Sequence, residues 1–355
     1  MDFELNRKDL HQSRFVTADP PSPGDGEALL AIESFGLTAN NITYAVFGEA
    51  MKYWDFFPAS DPDWGKLNVW GYAHVEESRN SGLEPGMRVY GYLPCASHLV
   101  VVPTRVNEKG FFDGAAHRAQ LPSAYQGYRD VETDPVYSAD HEAEHIIFFP
   151  LFFTSFLIDD FLADEEFFGA DTIVISSASS KTAIIAAYLL AKRDGIEVIG
   201  LTSAGNREFV EGLDVYDSVA SYDSVAQLPG ERAVYVDISG DGGVRTDVHA
   251  HYGDRLAHSS TVGATHWTQM GSGAGELAGP SPAFFFAPDR ITKRGRDWGT
   301  AKLDHNVAGA WGPFAEWASG WLRVEHISGE HDIQRAYLEL LDGKVDPTAG
   351  TVVSG

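Results

Sequence analysis

The sequence predicts an α/β protein in two parts, a β-rich, barrel-like module and a doubly wound parallel sheet with helical crossovers. Three observations carry this. The first 110 residues read as short strands punctuated by turns, strand-like and helix-like segments alternate from residue 151 onward, and the tail returns to a mixed pattern with a closing strand. At 355 residues, 44% hydrophobic and 22% charged, the chain is long and apolar enough to bury two cores.

In the first part, residues 27–34 alternate into an apolar run, and Gly82-Leu-Glu-Pro-Gly86 is a turn ahead of strands at 88–93 and 97–102. Residues 105–150 carry scattered Gly, Pro and charged residues, which predicts a long surface connection or insertion. The β-branched run 172–176 then starts a series: a helix over 181–193, and strands at 197–201, 233–238 and 255–262. Strands separated by helical stretches imply right-handed crossovers and a parallel sheet, which binds ligands at the carboxyl ends of its strands. Amphipathic helices are predicted at 308–322 and 333–341, and a last strand at 351–353.

The formal charge of -25 opposes nucleic acids and anionic membrane surfaces as partners, because no long Lys/Arg block overrides the net field. Cys95 is the only cysteine, so neither an internal disulfide nor a zinc site of the four-cysteine or Cys/His/Cys kind is available. The first eleven residues lack the apolar core of a secretory signal. The greasy stretch 146–158 is too short to span a bilayer and contains Pro150, so a cytoplasmic location is expected.

The order of the parts, with a C-terminal segment that rejoins the first module, resembles the medium-chain dehydrogenase/reductase superfamily. The stretch 27–44, EALLAIESFGLTANNITY, resembles the strand and active-site turn of its zinc-free quinone and enoyl reductases; LEPGMRVYG at 83–91 resembles its "kxGDxV" turn, with 96–103 as the strand that follows; LDGKVDPTAGTVV at 341–353 resembles its C-terminal signature. The resemblance covers nearly the whole chain. It implies a GroES-like catalytic domain at 1–150 and 290–355, with a connecting insertion, and a Rossmann-type nucleotide-binding domain at 151–289. It also implies a homodimer.

A dinucleotide site needs a turn after the first strand of the second domain, where backbone approaches a pyrophosphate at a helix N-terminus. This chain has Ser176-Ser-Ala-Ser-Ser-Lys-Thr182, small but without glycine. Ser177 keeps the backbone accessible, while the hydroxyls of Ser179, Ser180 and Thr182 and the charge of Lys181 suit phosphate oxygens; the plainer alternative is a Ser/Thr helix cap. After the second strand no Asp or Glu stands ready for the adenosine ribose of NAD; Thr202, Ser203 and Arg207 suit a 2′-phosphate, so NADP(H) is the expected cofactor, the alternative being a solvated loop. Ser239 with Gly240, and Thr261 to Gly263, fall where the superfamily's chain runs beside the cofactor.

The resemblance further implies that the protein binds the cofactor against a small carbonyl, quinone or enone substrate while a tyrosine or amide polarises it. The catalytic candidates are Thr38, Asn41, Tyr44 and Tyr53, with Tyr53 the expected proton donor; an interface tyrosine held by hydrogen bonds is the alternative. Trp54, Phe56, Phe57, Trp267 and 284–286 are candidates for an apolar pocket. No metal is expected. A rival reading is a dinucleotide-binding sensor without turnover. A weaker one is a zinc hydrolase using His141-Glu142-Ala143-Glu144-His145, with Glu165 as a third ligand, against which Pro150 is expected to break the helix.

Overall fold

The computed structural model describes residues 1–17, 19–262 and 277–355. They form two compact units, one of Met1–Pro150 with Ala315–Gly355 and one of Leu151–Phe314.

The first unit is built on a nine-stranded sheet and a three-stranded one. Its central strands, Ala28–Leu37 and Asn68–Ser78, pair antiparallel and are buried along most of their length. Ala28–Leu37 is flanked on the other side by the chain's last strand, Ala349–Ser354, which in turn pairs in parallel with Arg323–Ile327. Residues 105–150 are not a surface connection. They supply the strands Gly110–Asp113 and Gly127–Asp130 of the large sheet and the start of a helix, Glu142–Asp164. Two of the three glycines in this stretch, Gly110 and Gly127, open these very short strands, which pair with each other, with Pro103–Asn107 and with Arg88–Pro94.

Pro150 lies inside Glu142–Asp164 without ending it. A proline removes one backbone donor, and a helix packed into a core tolerates that loss. The helix is thus long and apolar enough to cross a membrane by length and composition, but 67% of its apolar window is buried within the fold, as in a core helix. His145, on its first turns, is 1% exposed, shares a 2.6 Å hydrogen bond through Nδ1 with the Tyr72 hydroxyl, and lies 4.3 Å from the Tyr90 ring centroid. Burial pulls its pKa from 6.5 down to about 3.

A folded pKa below the unfolded value means stability that is full above pH 6.5 and lost as pH falls toward 3, at up to about 1.4 kcal/mol per pH unit for one proton. His249 and His258, also lowered by burial, add to that slope. His145→Gln should therefore flatten the decline in urea-unfolding stability between pH 6.5 and 4.5, and an unchanged slope would remove His145 from the account.

The second unit contains a six-stranded sheet, all of whose pairings are parallel. In chain order its strands are Thr172–Ser176, Glu197–Thr202, Ser218–Ser221, Ala233–Asp237, Leu256–Thr261 and Ala283–Phe284, and they lie side by side as 3-2-1-4-5-6. This is the order of doubly wound dinucleotide folds, with its switch point between the first and fourth strands. The first and fourth strands are buried throughout, as strands covered on both faces must be. The expected return to the first domain at 290 falls at 315, because helix Ala287–Asp297 carries Arg290 and Arg294, which bond Asp160 Oδ2 at 2.8 and 2.6 Å inside the second unit.

Candidate functional site

At the carboxyl end of Thr172–Ser176 the chain turns through Ser177, which is buried with φ 54°. That left-handed backbone is costly for any residue with a Cβ. The turn is held by its neighbours: Ser177 N–H donates to the Tyr222 hydroxyl (3.1 Å), Ala178 N–H to Leu201 O (2.9 Å), and the Tyr216 hydroxyl to Ala178 O (2.9 Å). Ser180 then caps the helix Lys181–Leu190, its Oγ accepting from Ala183 N–H at 3.4 Å. Ser179, Ser180, Lys181 and Thr182 are half-buried around this helix start, where first-turn N–H groups lack intrahelical acceptors and the dipole favours an anion. The close approach that a glycine in the turn would allow is provided from the next strand. A Cβ on Gly200 would stand 2.9 Å from the Ala178 side chain and 3.0 Å from the Tyr216 ring.

Past the second strand, Thr202 is buried and donates to Ser179 Oγ at 3.4 Å, while Asn206 Nδ2 donates to the same oxygen at 2.9 Å. Ser203 and Arg207 are exposed, and Arg207 Nε reaches Glu211 at 2.7 Å along its short helix. No Asp or Glu occurs among residues 201–207.

The centre of the switch point is Asp237, fully buried at the end of the fourth strand. Its carboxylate accepts from Ser176 Oγ (3.0 Å), Ser239 Oγ (2.9 Å), Gly240 N–H (3.0 Å) and the Arg245 guanidinium through Nε and Nη2 (both 2.8 Å). Ser176 Oγ in turn accepts from Ile238 and Ser239 N–H at 3.0 and 3.1 Å. One buried charge thereby ties together the ends of both strands and the helix Gly242–Tyr252, which Asp241 caps. Thr261 is half-buried at the end of the fifth strand, beside Val262, whose N–H donates to Asp237 O. Gly263 and Trp267 lie outside the described residues.

In the first unit, Thr38 and Asn41 begin the helix Ala39–Val46. Asn41 Oδ1 accepts from Thr38 N–H (2.6 Å) and its Nδ2 donates to Asn68 O (2.8 Å), which commits the amide to structure. Tyr44 and Tyr53 do come together, with ring centroids 4.8 Å apart. Tyr44 Oη accepts from Asn40 Nδ2 (2.7 Å) and Trp70 Nε1 (2.9 Å), and the Tyr53 and Tyr125 hydroxyls are 3.2 Å apart. Phe56, Phe57 and Tyr92 complete the aromatic packing, and burial raises the pKa of Tyr44 and Tyr53. Trp54 is buried beneath Gly48 and Gly65. In the second unit Phe284 is exposed and Phe285 buried, so 284–286 form no common lining.

The residues of the zinc-hydrolase pattern have separate tasks. His141 ends the turn before the helix with Nε2 3.2 Å from Glu316, Glu142 takes Arg88 in a two-point pair (2.7 and 2.9 Å), and His145 faces Tyr72. Among the described residues no three His, Cys, Asp or Glu side chains gather as a metal site.

Residues 35–346 match a family described as "Protein of unknown function (DUF2855)". The chain belongs to that family. No curated protein matches this DUF2855 member in sequence. Solved structures do match it along nearly its whole length. CurA from Vibrio vulnificus in complex with NADPH is 15% identical with a TM-score of 0.59, covering 96% of this chain and 94% of that one. YhdH from E. coli K-12 with bound NADPH is 14% identical with a TM-score of 0.55, covering 100% and 99%. The CurK enoyl reductase is 13% identical with a TM-score of 0.53, covering 99% and 98%. At these identities the likeness shows the fold alone, which the DUF2855 chain shares with these structures along nearly its whole length.

Three site residues of this DUF2855 member escape a reading of the sequence: Asp237, Arg245 and Tyr125. Asp237 has a signal, an acid closing an apolar strand just before Ser-Gly-Asp-Gly-Gly. Tyr125 has none, since it lies in a stretch without periodicity.

Proposed function

We propose that the chain is an NADPH-dependent reductase that transfers hydride, without zinc, to a ketone, a quinone or the β-carbon of an activated alkene. The observation that carries this reading is the polar edge of a parallel sheet in 3-2-1-4-5-6 order, where a helix N-terminus and a small-residue turn meet at the switch point. CurA and YhdH, which share the fold, were solved with NADPH, and CurK is an enoyl reductase.

The side chains fit the cofactor. Ser179, Ser180, Lys181 and Thr182 stand where the pyrophosphate would bind, Ser239 and Thr261 border the strand ends beyond, and Ser203 with Arg207 would hold the 2′-phosphate. The exposed Arg207–Glu211 pair contributes only about 0.3–0.5 kcal/mol, so Arg207 can exchange it for a phosphate. Bound NADPH supplies the hydride. Tyr44 is the proton donor we favour over Tyr53. Burial raises its pKa, and the two N–H groups that donate to its oxygen offset part of that cost by stabilising the phenolate left when the proton departs. A homodimer is part of the same reading, supported by the exposed Phe284 on the edge strand Ala283–Phe284.

The test is a titration of the purified protein with NADPH and NADH, followed by a screen of enones, quinones and ketones for nucleotide oxidation. Binding with NADPH favoured and substrate-dependent oxidation supports the reductase; binding without turnover on any of them supports the sensor; no binding removes both. Arg207→Ala should weaken NADPH about 10- to 100-fold, the worth of a charge-assisted bond, and leave NADH within about twofold. Equal losses would overturn the 2′-phosphate assignment.

A further inference from the structure

We propose that Tyr222 is a positioning residue for the cofactor: by accepting the Ser177 N–H, its hydroxyl holds the glycine-free turn in the backbone shape that aims the helix Lys181–Leu190 at the phosphates. The proposal rests on the NADPH reading above. Dinucleotide turns use glycine because only glycine takes left-handed φ without a steric cost. Here a serine takes it, at φ 54°. Ser177 is 6% exposed, so its N–H must find an acceptor inside the protein. Tyr222 supplies one at 3.1 Å. Its ring packs against the core cluster that includes Val174, Leu201 and Tyr235, which fixes where the hydroxyl can stand. Tyr216 plays the matching part on the carbonyl of Ala178, at 2.9 Å. The next residues, Ser179 and Ser180, begin the phosphate edge itself, and Ser180 N–H donates back to Ser177 O at 2.7 Å. A change of φ at Ser177 would therefore move the helix cap.

Burial pushes the Tyr222 pKa up to about 12, well above physiological pH, so the oxygen that accepts the Ser177 N–H is that of a neutral hydroxyl. Tyr222→Phe removes the oxygen and leaves the ring. Ser177→Gly removes the steric cost of left-handed φ and with it most of the need for an external hold; the buried N–H still seeks an acceptor, which sets the residual cost of losing the Tyr222 hydroxyl.

The experiment is a double-mutant cycle read by NADPH dissociation constants, with thermal melting in parallel. Tyr222→Phe should weaken NADPH about tenfold, the worth of one hydrogen bond to a buried donor. In the Ser177→Gly background the same change should cost at most about threefold, because the turn no longer depends on the bond. A fall in melting temperature alone, with affinity unchanged, would reduce Tyr222 to a structural role and overturn the proposal. An identical affinity loss in both backgrounds would also overturn it, because Tyr222 would then act independently of the Ser177 backbone. If the unmodified protein binds neither NADPH nor NADH, the reductase reading itself falls, and this proposal falls with it.

Discussion

Asp237→Ala is expected to lower the unfolding free energy by about 3–5 kcal/mol, the scale for removing one partner of a buried ion pair. The carboxylate is 0% exposed and receives two serine hydroxyls, the Gly240 N–H and both near nitrogens of Arg245. Alanine leaves each of these donors without its acceptor, and Ser176 Oγ, which also takes the N–H groups of Ile238 and Ser239, loses the group that orients it. Burial then works against the protein at Ser176, Ser239 and Gly240, whose donors cannot turn to water, while the partly exposed Arg245 can. NADPH affinity should fall with stability, because the ends of the first and fourth strands share this one anchor. Urea unfolding reads the first effect and fluorescence titration the second. Asp237→Asn, which keeps an acceptor oxygen and loses the charge, should land between the two. A drop below about 1 kcal/mol for alanine would mean that the loops hold their shape without the pair.

Tyr44→Phe should lower kcat by about 10²- to 10⁴-fold, the usual contribution of a positioned proton donor, with NADPH affinity unchanged. Phenylalanine keeps the ring packed against Tyr53 and Tyr92 and removes the oxygen to which Asn40 and Trp70 donate. Tyr53→Phe should cost about tenfold or less, as its hydroxyl meets Tyr125 and its own proton has a place to go within the pair. The reverse ranking in steady-state kinetics would move the proton donor to Tyr53, the residue the sequence alone favours.

Much of the second unit is legible in the sequence. Apolar β-branched runs such as 172–176 sit deep in a parallel sheet and have one physical explanation, and the strand predicted there is the strand observed. The expectation of NADP rests on which side chains end the second strand, also a local property. What escapes is set by partners far along the chain. Gly127–Asp130 is a strand because it pairs with Val89 and Tyr90, about 40 positions earlier, and it holds Gly110–Asp113 beside it. Helix Ala287–Asp297 belongs to the second unit because Arg290 and Arg294 find Asp160 about 130 positions earlier. The hold on the turn is equally non-local: Ser177 and Tyr222 are 45 positions apart, and nothing in either neighbourhood announces the other. Helix termination is a further instance, since Pro150 reads as a break and packing carries the helix past it.

The last strand, Ala349–Ser354, completes the sheet of the first unit by pairing with Ala28–Leu37. That pairing closes a loop of roughly 300 residues, whose chain-entropy cost grows slowly with length but must be met before the contact forms. Until it forms, residues 34–37 of the central strand lack their partner on that side, while residues 28–31 already pair there with His98–Val101. The second unit, drawn from the uninterrupted stretch 151–314, has no such dependence and is free to fold while the chain is still being made. Deleting residues 349–354 would therefore damage a sheet whose central strand, 28–37, lies more than three hundred positions earlier.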